Sequence, residues 1–134
     1  MKDLKLPLKK KWFDMTKSGE KTEEYREITP YWCTRLLLFD GFKRSKDSWF
    51  DMLFDGEEEL ILTAITECYW TKFKSFNNNI ITLGYPKNTD AEKIVTLENK
   101  GISIGTGKVE WGAEKDKMYF IIKHGAIVFP TSER

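Results

Sequence analysis

At 134 residues, 40% of them hydrophobic and 14% aromatic, the chain has the size of one domain whose core needs neither disulfides nor metal. A formal net charge of +1 excludes a global field that would draw in nucleic acid nonspecifically, so any such contact must rest on local patches such as Lys9-Lys10-Lys11 or Lys43-Arg44-Ser45-Lys46. Cys33 and Cys68 form no CxxC or metal spacing and read as reduced thiols of a cytoplasmic protein. No apolar stretch suits a signal peptide or a membrane span.

In chain order, Leu4, Leu6 and Leu8 alternate with Lys5 and Pro7 and predict a first strand. A helix follows over roughly Lys9 to Ser18, with Leu8, Trp12, Met15 and Thr16 on one face and Gly19 as its stop. The three lysines lie at the positive end of that helix, which points either to anion capture or to loop residues ahead of a later helix start. Pro30 opens a second helix to about Leu37, anchored by Tyr31 and Trp32. The segment from Ser48 to Lys74 reads as mostly helical. From Phe76 the pattern turns to strands: Ile80–Tyr85, Ile94–Asn99, Gly101–Gly107, Met118–Lys123 and Ala126–Phe129, the last two joined by a turn at His124-Gly125. The order predicts an α+β fold or a small barrel decorated by helices. Trp12-Phe13-Asp14-Met15 recurs as Trp49-Phe50-Asp51-Met52, and both are read as similar helix-plus-cap chemistry rather than a repeat fold.

The run from Gly19 to Glu27 (Gly-Glu-Lys-Thr-Glu-Glu-Tyr-Arg-Glu) breaks the apolar–polar alternation of a half-buried strand. As a strand it would place Thr22, Glu24 and Arg26 on one face and Lys21, Glu23, Tyr25 and Glu27 on the other, with Tyr25 and Ile28 alone able to fill a core. Such a strand is either a solvated edge or the lining of a polar site.

Lys21, Glu24 and Arg26, spaced Gly-x-Lys-x-x-Glu-x-Arg after an amphipathic helix, resemble the signature of the ASCH domain family. The run Gly101-Ile-Ser-Ile-Gly-Thr-Gly, then Glu110-Trp111-Gly112-Ala113, a strand and a Lys-His-Gly hairpin, is similar to the C-terminal part of one ASCH subgroup. The resemblance covers about 3–35 and 76–129, leaving about 36–73 as a mostly helical insertion into a single domain, 1–134. It implies a small PUA-like β-barrel with a groove lined by the charged motif, and ligands that are RNA or nucleotide-like. Lys21 and Arg26 would contact anions, Glu24 would orient them or read a base edge, and Tyr25, Trp12, Trp32 and Trp111 would offer stacking faces. Lys11 and Lys108 would sit beside the groove. Glu98 and Glu110 are candidates for a second carboxylate facing the motif.

Some members of that family hydrolyse acetylated cytidine with a Lys-x-x-Thr motif; here Lys21 is kept and Glu24 stands at the threonine position, with Thr22 two residues away. A hydrolase would then use Glu24 as a general base and Lys21 as its charged neighbour. A protein-interaction module using the inserted segment, with Trp49, Phe50 and Phe54, is a third expectation. No cofactor, metal or membrane partner is expected: His124 is the only histidine, and Gly105-Thr106-Gly107-Lys108 lacks the P-loop spacing and reads as a strand-ending turn.

Overall fold

The computed structural model describes residues 2–39, 71–87 and 89–128. Along them run β1 (Lys2–Leu8), α1 (Lys10–Lys17), β2 (Glu23–Arg26), α2 (Pro30–Leu36), β3 (Leu37–Phe39), β4 (Thr71–Phe73), β5 (Phe76–Leu83), β6 (Ile94–Thr106) and β7 (Met118–Ile127). The fold is mixed α and β, mostly strands, with a sheet curled into a half-barrel and two helices among the described residues. The five-stranded sheet runs β1-β5-β6-β7-β2, with β1 parallel to β5 and every other neighbour antiparallel.

Strand alternation builds two apolar clusters. Leu4, Leu6 and Leu8 of β1 join Ile81, Val95, Leu97, Phe120 and Ile122 on one face, where Phe13 of α1 and Cys33 and Leu36 of α2 cover them. Tyr25, Tyr119 and Ile121, of opposite parity, pack with Ala113 and Trp111 on the other face. Burial pushes the Cys33 thiol up to about 12, so it stays protonated and inert.

The ends of α1 and α2 follow the sequence signals. Gly19, at φ +90°, supplies the left-handed residue that stops α1. Thr29 caps α2 by accepting from Trp32 N at 3.3 Å, with Pro30 in the first turn. The predicted α1 face holds at Leu8 and Thr16, which are buried, and at Trp12 and Met15, which are half-buried, with Phe13 added to the core. Phe13 and Thr16 are the buried residues of α1, and Cys33 and Leu36 those of α2. Trp12 and Trp32 pack partly buried against the core, while Tyr31, predicted as an anchor, is 50% exposed. Of the three lysines only Lys9, the extended N-cap residue, precedes the helix. Lys10 and Lys11 lie in the first turn, where Lys10 Nζ reaches Asp14 Oδ2 at 2.7 Å one turn on.

Two other predictions are corrected. Met118–Lys123 and Ala126–Phe129 are not separate strands joined at His124-Gly125: β7 runs through both residues, and His124 is buried within it. The stretch predicted helical up to Lys74 holds a strand at its end, since Thr71–Phe73 pairs antiparallel with Leu37–Phe39. The ends of the predicted insertion, 36–73, are therefore side by side. The body of that segment, including Trp49, Phe50, Phe54 and the second Trp-Phe-Asp-Met, lies outside the described residues.

The pairing of β6 with β7 shifts register between Leu97 and Asn99 and again between Asn99 and Ile102. Gly101 sits in the second irregularity at φ +112°. Such bulges sharpen twist and bend a sheet. Beyond β6, Gly107 is packed against the second cluster. A Cβ at this position would stand 2.7 Å from Ala113 Cβ and 2.8 Å from the Tyr25 ring. Gly107→Ala is expected to destabilise by about 1–3 kcal/mol through overpacking, seen as a lower urea midpoint at unchanged slope. An unchanged midpoint would show that this loop yields freely.

Candidate functional site

The charged run turns inward rather than to solvent. Gly19 reverses the chain, and Lys21 N donates to Met15 O at 3.0 Å, which seats Lys21 under the end of α1. Because β2 begins only at Glu23, Lys21 precedes the pleat and does not obey the strand parity. Its side chain, 2% exposed, runs past the Trp12 ring at 6.0 Å and the Tyr25 ring at 5.7 Å. Nζ then donates to Glu24 Oε1 and, at 2.6 Å, to Glu23 O. Glu24, also buried, accepts from Arg26 through its other oxygen, Oε2. The carboxylate therefore lies between two cations. Desolvation lowers the Lys21 pKa below its ordinary value; Glu24 opposes that shift and Arg26 adds to it.

Arg26 does a second job. Its other terminal nitrogen donates to Pro7 O at 2.9 Å. Pro7 belongs to β1 and Arg26 to β2, the two edge strands of the sheet. The guanidinium spans the seam where the curled sheet comes round on itself, with the Trp32 ring 5.2 Å away.

Beside this seam lies a cleft of about 710 Å³. Pro7, Leu8 and Lys9 line it from the end of β1, Trp12 from α1, and Glu24, Tyr25 and Arg26 from β2. Tyr31 and Trp32 of α2 close one side; Trp111, Gly112 and Glu114 close the other. Gly112 allows the close approach of Trp12, whose ring would lie 3.0 Å from any Cβ there. Tyr25 fixes the loop after β6: its hydroxyl donates to Glu23 Oε1 at 2.8 Å and accepts from Lys108 N at 3.0 Å. Burial, the larger cause, and Glu23 push its pKa up to about 12, so it stays protonated.

The three acids that line the cleft are paired. Glu24 is held by Lys21 and Arg26, while Glu27 and Glu114 share Lys117 at 3.0 and 3.1 Å, which keeps that amine protonated above its usual range. Lys9, Lys11 and Lys108 have no ion pair among the described residues. Lys11 lies 4.7 Å from the Trp12 ring and Lys108 4.3 Å from the Trp111 ring.

Of the residues singled out from sequence, Glu24, Tyr25, Arg26 and Trp111 line the cleft, Lys11 and Lys108 flank it on their indoles, and Lys21 lies behind Glu24. Glu98 does not face the motif; it pairs with Lys100 at 3.5 Å and accepts from Ala126 N. Glu110 lies in the short 3₁₀ turn Val109–Trp111 and is exposed. Thr22 is exposed, and its carbonyl accepts from His124 N at 3.0 Å.

Sequence reasoning missed a polar chain across β5, β6 and β7, buried at Asn79 and His124. Gly101 N donates to Asn99 Oδ1 at 2.8 Å, Asn99 Nδ2 to Asn79 Oδ1 at 2.7 Å, and Asn79 Nδ2 contacts His124 Nδ1 at 2.8 Å. The direction of the chain makes His124 Nδ1 the acceptor and places the ring proton on Nε2. Nε2 is buried and has no partner among the described residues. Burial first, then Lys21 and Arg26, lower the His124 pKa to about 4. Among the described residues no group of His, Cys, Asp and Glu is placed to hold a metal ion, and no helix is long and apolar enough to cross a membrane. No family model, curated protein or solved structure matches this chain.

Proposed function

We propose that the chain is an ASCH-like module of PUA-like barrel type that binds single-stranded RNA or a nucleotide in the cleft beside the β1–β2 seam. The observation that carries this reading is the set of three indoles around one cleft, each with a cation over it: Lys11 on Trp12, Arg26 on Trp32 and Lys108 on Trp111. Indole faces stack unpaired bases, and unpaired lysines beside them meet phosphates. The cleft volume of about 710 Å³ falls within the range of about 300–1,000 Å³ that suits a small organic ligand.

Amide hydrolysis at Lys21 and Glu24 is disfavoured. Lys21 is 2% exposed, and both Glu24 oxygens are already held by cations, so neither group is free to activate water or a nucleophile. Both act as positioning residues that fix Arg26.

Quenching of tryptophan fluorescence by uridine monophosphate and short oligouridylates tests the proposal. Trp111→Ala and Lys108→Ala are each expected to weaken binding, the former by about tenfold or more for a lost stack. The affinity should fall as salt rises from about 50 to 200 mM. Absence of quenching, or variants that bind like the wild type, would overturn the reading.

A further inference from the structure

A second cleft, of about 860 Å³, lies across the seam from the first. The two share Pro7, Arg26, Tyr31 and Trp32, so the Arg26–Trp32 stack is a wall common to both. The second cleft adds Lys5 and Arg35, two cations without an ion pair among the described residues, and Tyr85, which is 92% exposed. The Arg35 guanidinium lies 5.5 Å from the Tyr31 ring and 5.6 Å from the Trp32 ring, and its buried Nε has no hydrogen-bond partner among the described residues.

We infer that the two clefts form one track for a single-stranded oligonucleotide, which crosses the Arg26–Trp32 wall with bases on both sides and places a phosphate at Arg35. This rests on the function proposed above and extends its site from one cleft to two. Each cleft alone is large enough for one small ligand, so a mononucleotide fills one and leaves the other empty. The pattern of cation beside ring continues from Lys11–Trp12 through Arg26–Trp32 to Arg35–Tyr31. A chain that alternates phosphates with bases matches it, whereas a lone nucleotide uses a part of it. Arg35 lines the second cleft and has no ion pair among the described residues, so a phosphate there would meet a cation that no described carboxylate neutralises.

The experiment compares uridine monophosphate with oligouridylates of increasing length, and with the matching deoxyoligomers, by tryptophan fluorescence. Affinity is expected to rise at least tenfold from the monophosphate to the tetramer. Arg35→Ala and Lys5→Ala should each lower tetramer affinity severalfold and reduce its salt slope by about 0.7 for each lost phosphate, with monophosphate affinity unchanged. Lys5 is exposed on β1, so that variant keeps the fold if Arg35→Ala does not. Equal affinity for monomer and tetramer, or variants that weaken both alike, would overturn the track while leaving mononucleotide binding in the first cleft intact. Binding of no probe at all would remove both proposals. A preference for the ribo- or the deoxyoligomers identifies which strand the track takes.

Discussion

Glu24→Gln is expected to lower folding stability by about 3–5 kcal/mol, because it leaves two cations facing each other without the anion between them. Lys21 is 2% exposed and takes its charge partner from Glu24 Oε1; Arg26 takes its own from Oε2. Ion pairs at the surface contribute little, but this carboxylate sits where water does not replace it. The loss is a large share of the roughly 5–15 kcal/mol that holds a typical domain together. It should also depend on pH in a diagnostic direction. Desolvation already lowers the Lys21 pKa; with Glu24 neutralised it falls further in the folded state only. The unfolded chain then binds more protons, so stability recovers as pH rises toward the ordinary lysine value. Urea unfolding at neutral and alkaline pH, with Lys21→Met added to make a double-mutant cycle, measures this. The double variant should be more stable than Glu24→Gln alone. A small loss with no coupling to Lys21 would mean that the cluster is solvated and not a buried relay.

Acid is expected to unfold this protein partly through a single imidazole. His124 has a folded pKa near 4 against an ordinary value of 6.5, the result of burial and of Lys21 and Arg26 nearby. The folded value is the lower one, so between these limits the unfolded state carries the extra proton and stability falls as pH falls. The gap corresponds to about 3 kcal/mol lost by the time pH reaches 4. Protonation would also set a donor at Nδ1 against the Asn79 amide that now donates to it. Urea midpoints for wild type and His124→Gln across this range separate the effect from the general titration of carboxylates. The glutamine variant should lose the part of the slope between about pH 6.5 and 4 that His124 supplies. Parallel profiles would show that His124 titrates normally.

The parts of this molecule that obey local rules were readable. Alternating Leu4, Leu6 and Leu8, the Gly19 stop and the Pro30 helix start each fix an element through local pattern alone. The charged run was recognised because it broke a pattern, and it does end in buried charge. What stayed hidden depends on pairings distant in sequence. Lys-His-Gly looked like a turn, yet Gly125 is in a strand beside Glu98 and Lys100, whose side chains would lie 2.9 and 2.6 Å from a Cβ at that position. The Asn79–His124 contact joins residues that share no local signature. A faint signal existed: an asparagine run leading into the apolar Ile80-Ile81 is unusual in a strand that enters a core. On α1 the stripe placed Thr16 in the core but missed Phe13, and on α2 it missed Cys33 and Leu36, since helical periodicity gives a stripe but not its rotation against a particular sheet.

The guanidinium that spans the edge strands has a bearing on colloidal behaviour. An open sheet presents unpaired amides and carbonyls to any passing chain, and natural proteins guard such borders. Here Pro7 removes one amide from the border, and its carbonyl is occupied by Arg26. A border guarded by a side chain can part without breaking a hydrogen-bonded ladder. Strand exchange between neighbouring molecules, and the fibrous or swapped assemblies that follow from it, should therefore begin at β1 and β2. Whatever neutralises or displaces Arg26 would lower the concentration at which they form.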